Sequence, residues 1–93
     1  MLVASCEIKL YLAGAMTLKD KRQIIKSLLQ KTKNKFNFSA AEVGAQDYIK
    51  SAVLGVAMVG DDYNYLQSKM DKYLNFIESF PEFLLTDFEI TIS

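Results

Sequence analysis

Lys19, Lys21 and Arg22 stand within a turn and a half of one another in a segment of helical spacing, and Lys26 and Lys33 follow in the same segment. Cations gathered in this way can hold phosphate oxygens through charge-assisted hydrogen bonds, the chemistry of a nucleic-acid backbone contact. At about 100° per residue, Arg22, Lys33, Lys26 and Lys19 fall in one sector beside the apolar stripe of the helix, with Lys21 on the opposite flank of that stripe. A solvated face accounts for Lys31, Lys33 and Lys35, because basic groups near a helix C-terminus are favoured by the dipole. It accounts poorly for Lys19, Lys21 and Arg22, which oppose the dipole at about 0.3–1 kcal/mol each. Two readings stay open: a plain basic surface, or a site for an anionic partner such as RNA.

The remaining reactive side chains support little chemistry. There is no histidine, so a Ser-His-Asp arrangement is ruled out and the commonest metal ligand is missing. Cys6 is the single cysteine; it has no disulfide partner, and a zinc site needs three or four nitrogen or sulfur ligands. Asp61-Asp62 could seed a divalent-cation site, but capping of a following helix explains both without a metal. Glu42 and Asp47 form a second acidic pair across a turn, and Glu42 reads as facing solvent. Gly14 and Gly60 are isolated and build no phosphate-cradling loop, although the turn at Gly14 could offer backbone N–H groups to an anion. No metal, cofactor or small-molecule substrate is expected.

The charges are unevenly placed. Eleven basic and eleven acidic residues cancel over 93 residues. The first fifty residues nonetheless hold nine basic and four acidic groups, and the rest hold two and seven. The molecule is expected to be an electric dipole despite its zero net charge. With 51% hydrophobic and 24% charged residues, the chain reads as one ordinary globular domain spanning 1–93. No apolar run reaches the length of a membrane span and no signal-peptide pattern opens the sequence, so a soluble, cytoplasmic protein without a membrane partner is expected.

Periodicity places these residues on elements. Leu2 to Leu12 alternates, with Leu2, Ala4, Cys6, Ile8, Leu10 and Leu12 on one face, and predicts a half-covered strand. Thr17 and Asp20 form a capping box for a helix over about 18–35 that buries Leu18, Ile25, Leu28, Leu29 and Phe36. Phe38 to Val43 predicts a second strand, with a bulge at Ala40-Ala41. Ala52 to Val59 is apolar on both faces and predicts an interior strand. A second helix follows Asp62, with Leu66, Met70, Tyr73, Leu74, Ile77 and Phe80 as its stripe, and Pro81 stops it. The last strand alternates Leu84, Thr86, Phe88, Ile90 and Ile92 against Leu85, Asp87, Glu89 and Thr91. The order βαββαβ predicts an α+β, ferredoxin-like sandwich: a four-stranded antiparallel sheet with two helices on one face.

The uncovered sheet face would carry Val53, Gly55, Ala57 and Val59, with Val3 and Tyr11 from the first strand. It reads as smooth and apolar. The third strand offers no aromatic residue for base stacking, so an RNA-recognition-motif mode is disfavoured. Such a face suits a protein partner, including a second copy of the chain.

Three stretches resemble the YlxP-like family of small bacterial domains: Leu12-Ala13-Gly14-Ala15-Met16-Thr17-Leu18-Lys19-Asp20-Lys21-Arg22; Phe36-Asn37-Phe38-Ser39-Ala40-Ala41-Glu42-Val43 continuing to Gln46-Asp47; and Ala52-Val53-Leu54-Gly55-Val56-Ala57-Met58-Val59. Ala13 replaces the usual proline, Tyr48-Ile49 stand where a tryptophan is common, and Lys50-Ser51 is a weakened basic position. The resemblance implies a ferredoxin-like fold and no established activity. It implies ribosome or RNA work through the family's gene neighbours, and it marks Lys19, Lys21, Arg22, Glu42, Gln46 and Asp47 as patterned polar positions. Acylphosphatases share the fold but use an arginine in a loop after the first strand; Arg22 lies within a helix, so no enzyme is expected. The leading expectation is a binding protein that docks on structured RNA or a ribosomal particle through Lys19, Lys21, Arg22, Lys26 and Lys33. The alternative is a module that homodimerises through the open sheet face.

Overall fold

A computed structural model describes residues 1–93. Alternation at the N-terminus becomes strand β1 (Leu2–Tyr11), whose even-numbered residues from Ala4 to Leu10 are buried. Helix α1 (Leu18–Phe36) begins at Thr17, whose hydroxyl accepts from the Asp20 N–H at 3.1 Å. It ends at Asn37, whose left-handed backbone (φ 56°) turns its N–H back to the Lys33 carbonyl at 2.9 Å. Asn is one of the few residues that adopt this conformation cheaply.

Strands β2 (Ser39–Gly44) and β3 (Ser51–Gly60) follow, then helix α2 (Tyr63–Glu78), capped by Asp62, and strand β4 (Leu84–Ile92). The sheet order is β2-β3-β1-β4, antiparallel throughout. This is the ferredoxin-like arrangement. Apolar β3 is interior, as its sequence demands, and β2 and β4 are the edges. No helix is long and apolar enough to cross a membrane.

The core lies between sheet and helices. Ile8, Leu10 and Leu12 meet Ile25 and Leu28 of α1 and the α2 stripe of Leu66, Met70, Tyr73, Leu74 and Ile77. Tyr73 is fully buried, and its hydroxyl lies 2.9 Å from the Thr32 hydroxyl of α1, so the two hydroxyls at this helix–helix contact satisfy each other. Burial pushes the Tyr73 phenol up to about 12.

Two irregularities differ from the sequence reading. The bulge in β2 lies at Val43, between Glu42 and Gly44, and not at Ala40-Ala41, which stay in regular register with Val56 and Gly55. The extra residue lets the Val43 side chain fold over Gly55, where an added Cβ would sit 3.1 Å from Val43 Cγ1. In β4 the register shifts at Thr86, whose hydroxyl donates to the Lys9 carbonyl at 3.1 Å. That shift exchanges faces: Leu85 packs against the core, while Leu84, expected on the buried stripe, is 63% exposed.

Candidate anion-binding groove

The N-terminus of α1 is already occupied by its own carboxylate. Asp20 Oδ2 accepts from the Met16 N–H at 3.0 Å and the Thr17 N–H at 3.1 Å, completing the capping box. The turn around Gly14 therefore does not present these N–H groups to an external anion. The Met16 N–H holds the Asp20 carboxyl below its ordinary value of 3.8, with the N–H and hydroxyl of Thr17 and the charge of Lys19 acting in the same direction. A carboxyl with a lowered folded pKa contributes fully above its unfolded pKa, and the contribution fades as pH falls through the folded value. Acid titration followed by circular dichroism should therefore show Asp20→Asn losing part of the acid limb below about pH 4 that the wild type retains. Superimposable acid limbs would contradict this role.

Lys21 does not belong to the basic surface. It is 1% exposed and lies on the buried stripe of α1 with Ile25, Leu28 and Thr32. Its ammonium donates to the carbonyls of Ala45 and Tyr48 (2.6 Å to Tyr48), reaches the Gln46 carbonyl at 3.4 Å, and lies 3.0 Å from Glu42 Oε2. The expected phosphate contact at Lys21 is corrected: a group enclosed by three carbonyls and a carboxylate has no donor left for a ligand. Glu42 is corrected with it. It pairs with core-facing Leu54 in the β2–β3 ladder and so turns toward the helix layer rather than to solvent. Its Oε2 receives the charge of Lys21 but, at this angle, no hydrogen bond. Ala45 holds a left-handed backbone (φ 56°) that directs its carbonyl at Lys21. Gln46 contributes only its carbonyl, and Asp47 is exposed.

A second lysine is used in the same way. Lys50 donates to the Ala13 and Ala15 carbonyls at 2.8 Å each, tying the β1–α1 turn to the start of β3. Lys31 and Lys35 lie over aromatic rings, 5.0 Å from the Phe80 centroid and 4.9 Å from that of Phe76. The charge argument for α1 is thereby reduced: of the three cations at its N-terminus, Lys21 is neutralised internally and Lys19 lies beside Asp20.

Arg22, Lys26 and Lys33, by contrast, converge. They line one open groove of about 690 Å³ between α1 and the free edge of β2, with Gln30, Asn37 and Ser39 adding donors and acceptors. The floor is apolar, formed by Ile25, Leu29, Phe38 and Ala40, and Glu42, the ion partner of Lys21, is the one acidic residue of the lining. None of the three cations has a carboxylate within 4.0 Å, since Lys21–Glu42 is the molecule's only ion pair. Lys19 shares their sector of the helix without lining the groove. The polar contributors Gln30, Asn37 and Ser39 were missed from sequence; Gln30 gave a signal, standing four residues after Lys26 on the same face.

The open sheet face carries Val53, Gly55, Ala57, Val59 and Tyr11 as expected, but its centre is not smooth. Glu7 lies opposite Gly55 and Lys9 opposite Val53, with Glu89 and Asp87 beside them on β4. Cys6 is buried on the other face, and burial pushes its thiol up to about 11, so it is not a nucleophile at neutral pH. Asp62 caps α2, and no group of three or more potential metal ligands comes together.

The model of the family described as "Protein of unknown function (DUF503)" matches residues 3–90. The "Uncharacterized protein YlxP" of Bacillus subtilis (strain 168) is 39% identical over 79 residues, which cover 85% of this chain and 84% of that protein. Two solved structures are more distantly similar. One is a REP-associated tyrosine transposase bound to a REP hairpin, at 13% identity and a TM-score of 0.46, covering 98% of this chain. This chain spans about half (55%) of that transposase. The other is a dimeric ferredoxin-like protein from an uncultured marine organism, at 11% identity and a TM-score of 0.45, covering 100% of this chain and 94% of that one.

Proposed function

We propose that this protein, which belongs to the DUF503 family, is a non-enzymatic binding protein whose α1/β2 groove docks on the phosphate backbone of structured RNA, free or within a ribosomal particle. The observation that carries the reading is the convergence of Arg22, Lys26 and Lys33 on one groove in which the single carboxylate, Glu42, is taken up by Lys21 and none lies within 4.0 Å of the three cations. From Arg22 to Lys33 the helix advances about 16 Å, enough to follow several successive phosphates. Lys19 extends the row toward the helix start. Contacts of this kind fix position and affinity without reading bases. Phe38 in the floor is buried, so no ring is offered for stacking.

Salt dependence is the direct test. With four phosphates engaged, raising salt from about 50 to about 200 mM should weaken binding of a labelled RNA hairpin by roughly 100-fold, read by fluorescence anisotropy. Absence of binding at low salt, or an affinity indifferent to salt, would remove the proposal.

A further inference from the structure

The two edges of the sheet are protected unequally. Strand β2 is six residues long, is broken by the bulge at Val43, turns Glu42 inward and is flanked by the cations of α1. These devices discourage strand pairing. Strand β4 is nine residues long, and its bulge lies near its start, so Asp87–Ile92 runs regularly with neither lysine nor proline.

The hydrogen-bond phase shows what this edge presents. Val3 and Ser93 exchange both backbone bonds, at 2.8 and 3.1 Å. The register is constant from Ala4↔Ile92 to Lys9↔Asp87, so the alternating pairs that follow Val3 and Ser93 are also hydrogen-bonded: Ser5↔Thr91, Glu7↔Glu89 and Lys9↔Asp87. Phe88, Ile90 and Ile92 therefore aim their N–H and C=O groups away from β1, off the sheet. Their side chains share the helix-side face with Ile8, Cys6 and Ala4, and Phe88 is 50% exposed there. Apart from the Phe88 N–H, which donates to Asp87 Oδ1 at 2.9 Å, this outward backbone has no partner, and it coincides with an apolar strip on the same three residues.

We infer that β4 pairs antiparallel with β4 of a second copy of this chain, about a two-fold axis at Ile90, joining two sheets into one. In this register Ile90 meets the partner's Ile90 and Phe88 meets the partner's Ile92, so every outward backbone group of the three residues is paired once the Phe88 N–H exchanges Asp87 Oδ1 for a carbonyl across the axis. On the opposite face Glu89 meets the partner's Thr91. The neighbouring registers are worse. A one-step shift sets Glu89 against the partner's Glu89, and a further step sets Asp87 against the partner's Glu89, like charges directly opposed. A shift the other way runs Phe88 past the end of the strand. The self-complementary register selects a second copy as the occupant.

Sedimentation velocity tests the inference without RNA, so its failure leaves the groove proposal untouched. The 10.5 kDa chain should sediment as a salt-insensitive dimer. Phe88→Lys and Ile92→Glu should each raise the dissociation constant by roughly 100-fold, with circular dichroism confirming that both variants remain folded. Mixing the two variants should restore a dimer, because the substituted positions face each other across the axis with opposite charges. Val59→Lys, on the open face, should change nothing. The inference is overturned by a monomeric wild type, by a dimer that Val59→Lys breaks and Phe88→Lys does not, or by folded single variants that fail to associate when mixed.

Discussion

Lys21→Met is expected to lower unfolding free energy by about 3 kcal/mol and the thermal midpoint by roughly 10–20 °C. The substitution conserves most of the buried side-chain volume, so packing is not the cause. Its cost is the removal of the ammonium that bridges the carbonyls of Ala45, Gln46 and Tyr48 and of the one cation that balances Glu42. Breaking a buried pair by deleting one partner costs about 3–5 kcal/mol. The lower end applies because the Glu42 side chain as a whole retains 21% exposure, although the Oε2 facing Lys21 is buried. Glu42→Gln should cost less, about 1–2 kcal/mol, since the ammonium keeps its carbonyls. Urea unfolding with hydrogen exchange of the loop between β2 and β3 measures both. If Lys21 were instead a phosphate ligand, Lys21→Met would leave stability unchanged and weaken RNA binding.

The complementary variant, Arg22→Ala with Lys26→Ala and Lys33→Ala, is expected to do the reverse. RNA affinity at low salt should fall by roughly 100-fold, and the slope of log K against log salt should drop by about 2–3 in magnitude. Stability should move by no more than about 0.5 kcal/mol per site, as for exposed positions without partners. Anisotropy titrations and thermal melts on the same preparation check both halves. An unchanged affinity would end the role of the groove. A large loss of stability would show that these cations, too, serve the fold.

The contrast between Lys21 and its neighbours shows where reading the chain stops. Strands β1 and β3, both helices and the capping box were legible because local periodicity and capping chemistry set them within a few residues. Arg22, Lys26 and Lys33 were legible as one sector for the same reason. Lys21 was not, although its spacing to Ile25, Leu28 and Thr32 places it on the buried stripe. A lysine is buried only when a partner is at hand, and its partners come from β2 and the turn after it, brought close only by the tertiary fold. The Thr86 bulge was equally hidden: one extra residue exchanges the faces at the start of β4, and alternation over so short a segment fits either register.

The turn between β2 and β3 is closed by its own Tyr48 N–H, which donates to the Ala45 carbonyl at 3.0 Å, but not by that bond alone. Ala45 occupies a conformation that alanine resists, and its carbonyl is held as well by an ammonium 24 positions upstream. Lys50, leaving the same turn, braces the segment that leads into α1. Each connection is thus braced by a lysine from beyond it. The hairpin closes its own ladder and turn bond, and the docked first helix adds the ammonium that fixes the turn's carbonyls in their native directions.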